Sequence, residues 1–278
     1  VHQALIDSFL ELERAAADCF WKSENREAWR DDLLRLRETQ NILPLKTQFD
    51  LSESAQQKQK TRDGSILLWD SDLIRCLTTS SPPTSDEDSF RAVVHTLSGM
   101  QKHTLTGLFL RPGFWMQPTW PEQEFPLRTA LSRARENGAF IIRCGFLTQA
   151  SDILWAADLG FSGIQIHAQG LDLFELQLAI ELARDCRLSP VVSVSSFAEL
   201  ELVLQTDAPH IALCHLSSTG KGSTTHFMSE GLSRIPKNCS RLVIATALPA
   251  SEIRALGKSG LDAALFFTTA QQPTTSDH

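Results

Sequence analysis

Eight short apolar runs alternate with amphipathic, helix-patterned segments along a chain of 278 residues, and this alternation predicts a closed (β/α)8 barrel with an N-terminal helical extension. Two further observations point the same way. Three of the helical segments stop at a glycine, Gly138, Gly160 and Gly260, the residue that most readily takes the left-handed turn after a helix. The length also fits, since α/β barrels usually need about 250 residues. A doubly wound open sheet would use the same alternation, and the count of eight favours closure.

The elements can be justified in order. Leu5, Phe9, Leu12 and Ala16 recur at helical spacing, and Leu33, Leu34 and Leu36, with Arg35 and Arg37 between and after them, mark a second helical stretch before Asn41. Residues 49–65 are polar, with Gly64 as a breaker, and read as an exposed connector, so the extension spans 1–65. The apolar runs at 66–77, 105–110, 140–144, 163–167, 191–194, 211–214, 242–245 and 263–267 are the expected strands. Between them lie helix-patterned segments such as PLRTALSRARENG, ASDILWAADLG, LDLFELQLAIELARDC, SFAELELVLQT and ASEIRALGKSG. The barrel is thus expected over 66–270 and a polar tail over 271–278.

Composition narrows the function classes. Hydrophobic residues make up 42% and charged residues 21%, which suits a globular core and excludes disorder or coiled coil as a description of the whole. A net charge of -7 argues against a nucleic-acid surface, which needs a clustered basic face. Six cysteines without a CxxC or HxxxH pair suggest neither a disulfide framework nor a metal centre, so a reduced, cytoplasmic protein without cofactor is expected. The opening VHQALIDSFLELERAAADCF has acidic residues inside its apolar run and does not read as a secretory signal, and no apolar stretch is long enough to span a membrane. Tyrosine is absent, beside 15 Phe and 6 Trp.

In such a barrel the functional residues sit at the C-terminal ends of the strands. The candidates there are Cys76 and Thr78, Arg111, Arg143 and Cys144, His167, Ser193 and Ser195, Cys214 and His215, Thr246, and Thr268 and Thr269, strand by strand. None is a carboxylate. Arg111 opens a loop with Trp115 and Trp120 that could cover an apolar ligand, and a guanidinium suits an anion. Arg143 should point away from the mouth by alternation and serve a structural ion pair. STGKGSTT lacks the spacing of a phosphate-binding loop and reads as a flexible linker.

The stretches AFIIRCGFLTQASDILWAADLGFSGIQIHAQGLD, LARDCRLSPVVSVSSFAELELVL and PHIALCHLSS resemble the third to sixth βα units of indole-3-glycerol-phosphate synthases. LIRCLTTSSPP and LVIATALPASEIRALGKSGLDAALFF extend the likeness to both ends of the barrel. The resemblance implies a carbon-carbon lyase of tryptophan biosynthesis that closes an indole ring with a general acid, a general base and a phosphate site. Matched residue by residue, the family's glutamate and lysine of strand one fall on Cys76 and Thr78, and its catalytic lysine and following aspartate on Cys144 and Gly145. Its strand-five glutamate falls on Ser193, its strand-six asparagine and arginine on Cys214 and Leu216, and its strand-seven glutamate on Thr246. The turn that helps hold phosphate falls on Phe267 and Thr268.

Three functions remain open on this reading. The first is a pseudoenzyme or binding protein, taking a small apolar or anionic molecule through Arg111, Trp115, His167, His215, Phe267 and Thr268, or taking a protein partner. The second is a divergent but active synthase. The third is a repurposed thiol- or metal-dependent enzyme built on Cys144 or Cys214 with His167 or His215.

Overall fold

Eight parallel strands hydrogen-bond in sequence order in the computed structural model, and the eighth closes on the first. The structure describes residues 25–39, 62–68, 86–102, 104–110, 119–147, 149–215, 223–245 and 248–269. The order is α1 (Asn25–Thr39), β1 (Arg62–Leu68), α2 (Asp86–Ser98), β2 (Leu105–Phe109), α3 (Trp120–Glu136), β3 (Phe140–Cys144), α4 (Ser151–Leu159) and β4 (Gly163–His167). It continues with α5 (Leu173–Asp185), β5 (Ser189–Val194), α6 (Phe197–Val203), β6 (His210–His215), α7 (Ser223–Arg234), β7 (Ser240–Ala245), α8 (Ala250–Lys258) and β8 (Ala263–Thr269). The chain is therefore a (β/α)8 barrel. Among the described residues no helix is long and apolar enough to cross a membrane.

Alternation along each strand divides the side chains between two apolar layers. Ile66, Phe140, Ile142, Val191, Leu242 and Leu265 fill the interior together with Cys144 and Cys214. The residues between them, such as Leu108, Ile141, Ile164, Val192, Leu213 and Val243, face the helices. Both faces of these strands are covered, so β2, β3 and β5 are buried at every position rather than alternately.

The expected stops after three helices are present: Gly138, Gly160 and Gly260 have φ of 79°, 96° and 96°. Side-chain caps fix two helix starts. Asp172 and Glu175 form a reciprocal capping box at the head of α5, and the Ser196 hydroxyl accepts from the Glu199 amide at the head of α6. In the extension, Trp29 and Leu33 of α1 are buried, and Arg30 lies 4.7 Å over the ring of Phe174 on α5.

The first strand departs from expectation. It runs over Arg62–Leu68, so the barrel begins before residue 66, and Gly64 belongs to the strand rather than to a connector. Register accounts for it: Arg62 pairs with Ala263 and Leu68 with Thr269 on one side, while Ser65 pairs with Thr106 on the other. Gly64 is needed there because a Cβ would stand 2.6 Å from both the Leu105 carbonyl oxygen and Leu265 Cδ2. β1 ends at Leu68, and Cys76 and Thr78, expected at its end, come eight and ten residues later in the chain and lie outside the described residues.

Candidate functional site

The ends of β3, β4, β5 and β6 bring Cys144, Gln165, His167, Ser193 and Cys214 together inside the barrel. Inward placement follows from register. Phe140, Ile142 and Cys144 alternate on β3, as Gly163, Gln165 and His167 do on β4. Cys144 is 1% exposed, Ser193 2% and Cys214 4%, so these strand ends form a buried cluster.

A directed hydrogen-bond chain ties the cluster together. The Gly145 amide donates to Gln165 Oε1 at 3.2 Å, which sets the orientation of that side-chain amide. Gln165 Nε2 then donates to Ser193 Oγ at 3.1 Å and faces Cys214 Sγ at 3.9 Å. Ser193 Oγ lies 3.0 Å from His167 Nδ1, and its hydroxyl is also 3.4 Å from the Ile166 carbonyl oxygen, to which it can donate. Phe146 stacks on the imidazole with centroids 4.1 Å apart and planes at 25°, which holds the ring in place.

Gly145 is itself constrained. Its φ is 109°, and a Cβ would stand 2.6 Å from the Leu110 carbonyl oxygen, so no larger residue fits this turn without strain. Arg143 faces outward from β3, as alternation predicted, and is 1% exposed. Its guanidinium donates to the main-chain carbonyls of Gly145 at 2.6 Å and Phe146 at 3.1 Å. Arg143 therefore braces the turn that starts the hydrogen-bond chain.

Electrostatics leave the thiol at β3 neutral. Burial pushes Cys144 up to about 12, with neighbouring Cys214 adding to the rise and Arg143 opposing it. A thiol that holds its proton this firmly is a weak nucleophile and a poor proton donor near neutral pH. The carboxylate nearest the end of β5 in sequence, Glu199, is engaged by the Ser195 amide at 2.6 Å as part of the α6 cap. Among the described residues no three His, Cys, Asp or Glu side chains are grouped to hold a metal ion.

The remaining candidates are distributed differently. Phe267 on β8 is half-buried and meets Phe109 edge to face, with centroids 6.4 Å apart. His215 and Thr268 are strand residues of β6 and β8, paired with Ala245 and Leu67, and their side chains lie outside the described residues. Arg111, Trp115, Leu216 and Thr246 also lie outside them. Trp120 does not cover a ligand: it is 4% exposed at the start of α3 and packs edge to face on Trp155 of α4 at 5.9 Å. Gln165, the hub of the chain, was missed by a search for charged residues at strand ends. A polar residue at the inward position of a buried strand was the available signal.

No family model matches the sequence, and no curated protein matches it. Among solved structures, the chain is similar to a native KDPGal structure at 12% identity, with a TM-score of 0.48 over 77% of this chain and 87% of that one. It is similar to a 3-hexulose-6-phosphate synthase at 11% identity, with a TM-score of 0.47 over 75% and 90%. A glycerol uptake operon antiterminator regulatory protein from Listeria monocytogenes str. 4b F2365 aligns at 9% identity, with a TM-score of 0.46 over 85% of this chain and 100% of that one.

Proposed function

We propose that this chain is an indole-3-glycerol-phosphate synthase-like barrel that no longer closes the indole ring and acts by binding, as a pseudoenzyme. The observation that carries the reading is the state of Cys144, which occupies the place of the family's catalytic lysine by sequence likeness and is buried with its thiol pushed up to about 12. Ring closure needs a proton delivered to a carbonyl and another taken up as water departs. A lysine ammonium can cycle between charged and neutral forms in that role, whereas this thiol stays protonated.

The rest of the cluster supports the same conclusion. Ser193 stands in the place of a glutamate, and its hydroxyl is engaged by Gln165 and His167. Phe267 puts an apolar ring at the strand that would cradle a phosphate, where backbone amides need open access to the anion. The alternative of a thiol-dependent enzyme loses one of its two candidate nucleophiles with Cys144.

Incubating the protein with the carboxyphenylamino-deoxyribulose phosphate substrate and following indole-glycerol fluorescence tests the proposal. The expected result is no rate above buffer. A rate that disappears on Ser193→Ala or His167→Ala substitution would overturn it and establish a divergent active synthase.

A further inference from the structure

On the outside of the barrel, α2 and α3 pack side by side and leave between them a cavity of about 680 Å³, within the range of small-molecule sites. Both helices return between parallel strands, so they run in the same direction and their ends coincide. Phe90, Val94 and Pro126 make an apolar middle. The charges separate toward the ends. Glu87 and Glu122 lie in the first turns of the two helices, while His95 and Arg133 lie in their last turns. From Glu87 to Ser98 the groove follows eleven helical steps, about 16 Å.

The two ends differ in how far their charges are satisfied. Arg91, which also lines the groove, is bridged to Glu87 at 2.5 Å, so that pair neutralises itself. Arg133 is exposed and forms no ion pair among the described residues, and His95 beside it adds an imidazole donor. An occupant therefore meets at one end a guanidinium without an ion pair among the described residues, apolar walls along the middle and the Glu122 carboxylate at the other. That sequence of environments suits a molecule with one anionic head and an apolar tail. It disfavours a molecule with acids at both ends, because Glu122 would face the second.

We infer that the α2–α3 groove binds a single-headed anionic amphiphile of the fatty-acid class, with its carboxylate on Arg133 and His95 and its chain along Phe90, Val94 and Pro126. None of its lining residues belongs to the strand-end cluster, so the site stands whether or not that cluster is catalytic. Titration calorimetry of the intact chain with dodecanoate, kept below its micelle concentration, tests it. One site per chain is expected. Arg133→Glu, at an exposed position that the fold does not depend on, should weaken binding at least tenfold. Dodecylammonium, with the same tail and the opposite charge, should bind at least tenfold more weakly than dodecanoate, and Val94→Trp should block the groove to both. Absence of dodecanoate binding, equal binding of the two amphiphiles, or an Arg133→Glu variant that binds as the parent does would each overturn the inference. The fluorescence assay for ring closure reads none of these outcomes, so the two proposals fail separately.

Discussion

Gly64→Val is expected to lower the unfolding free energy by about 3 kcal/mol or more. The atoms a side chain would meet decide the size of the effect. A Cβ at this position stands 2.6 Å from the Leu105 carbonyl oxygen, which belongs to the neighbouring strand's backbone, and equally close to Leu265 Cδ2 in the barrel interior. Leu265 can turn aside; the carbonyl can retreat only by parting β1 from β2. Because β1 also joins β8, a displacement there strains the closure of the whole barrel. Urea unfolding followed by far-ultraviolet circular dichroism measures the change. A variant within about 0.5 kcal/mol of the parent, as expected of an exposed connector, would show that β1 has been placed on the wrong segment.

The second large effect is expected at Arg143. Replacing it with methionine keeps much of the apolar volume but removes the donors to the carbonyls of Gly145 and Phe146, in a site where Arg143 is 1% exposed. Each buried carbonyl left without a partner costs about 1–3 kcal/mol, so a loss of about 2–5 kcal/mol is predicted. The same turn presents the Gly145 amide to Gln165, so the damage should reach the strand-end cluster. Arg143→Met is therefore also expected to speed hydrogen exchange at the Gly145 amide. A variant with parental stability would mean that the turn holds itself without the guanidinium.

How far these features could be read from the sequence depended on the kind of signal each one left. The strands from β2 to β8 were legible because apolar runs of strand length were separated by helical periodicity and by glycines whose positive φ the structure bears out. The first strand was misplaced because 66–77 was read as one apolar run, although Asp70, Ser71 and Asp72 interrupt it just after the strand's end at Leu68. Gly64 had been weighed as a breaker, when a glycine inside a strand can equally mark the close approach of another backbone. Register with β8, a contact between the two ends of the barrel, resolves the choice, and no local pattern contains it.

At the strand ends, alternation sufficed to point Cys144, Ser193 and Phe267 inward and Arg143 outward. It could not supply partners. The match of Arg143 with main-chain carbonyls depends on the left-handed turn at Gly145, and the role of Gln165 depends on neighbours that come from two other strands and a turn. These are properties of proximity in the folded barrel rather than of spacing along the chain.

The state of Cys144 also makes a prediction about pH. Its thiol is raised in the folded protein from an ordinary value of 9.0 to about 12, so folded and unfolded chains bind the proton equally below pH 9. Above that pH the unfolded chain ionises first. The folded state then loses stability as pH rises toward 12, at a limiting slope of about 1.4 kcal/mol per pH unit from this group. Burial raises Cys186 to about 11 and raises Cys239 as well, so the alkaline loss should be steeper than one thiol alone produces.

The proposal that the place of the catalytic lysine is taken by a buried, protonated Cys144 is tested most directly by alkylating the folded protein with iodoacetamide at pH 8 and locating the adducts by peptide mass spectrometry. Half-buried Cys239 should react while Cys144 stays unmodified until the chain is unfolded in denaturant. Alkylation of Cys144 in the folded protein, as fast as that of Cys239 or faster, would reveal an accessible and activated thiol and contradict the account.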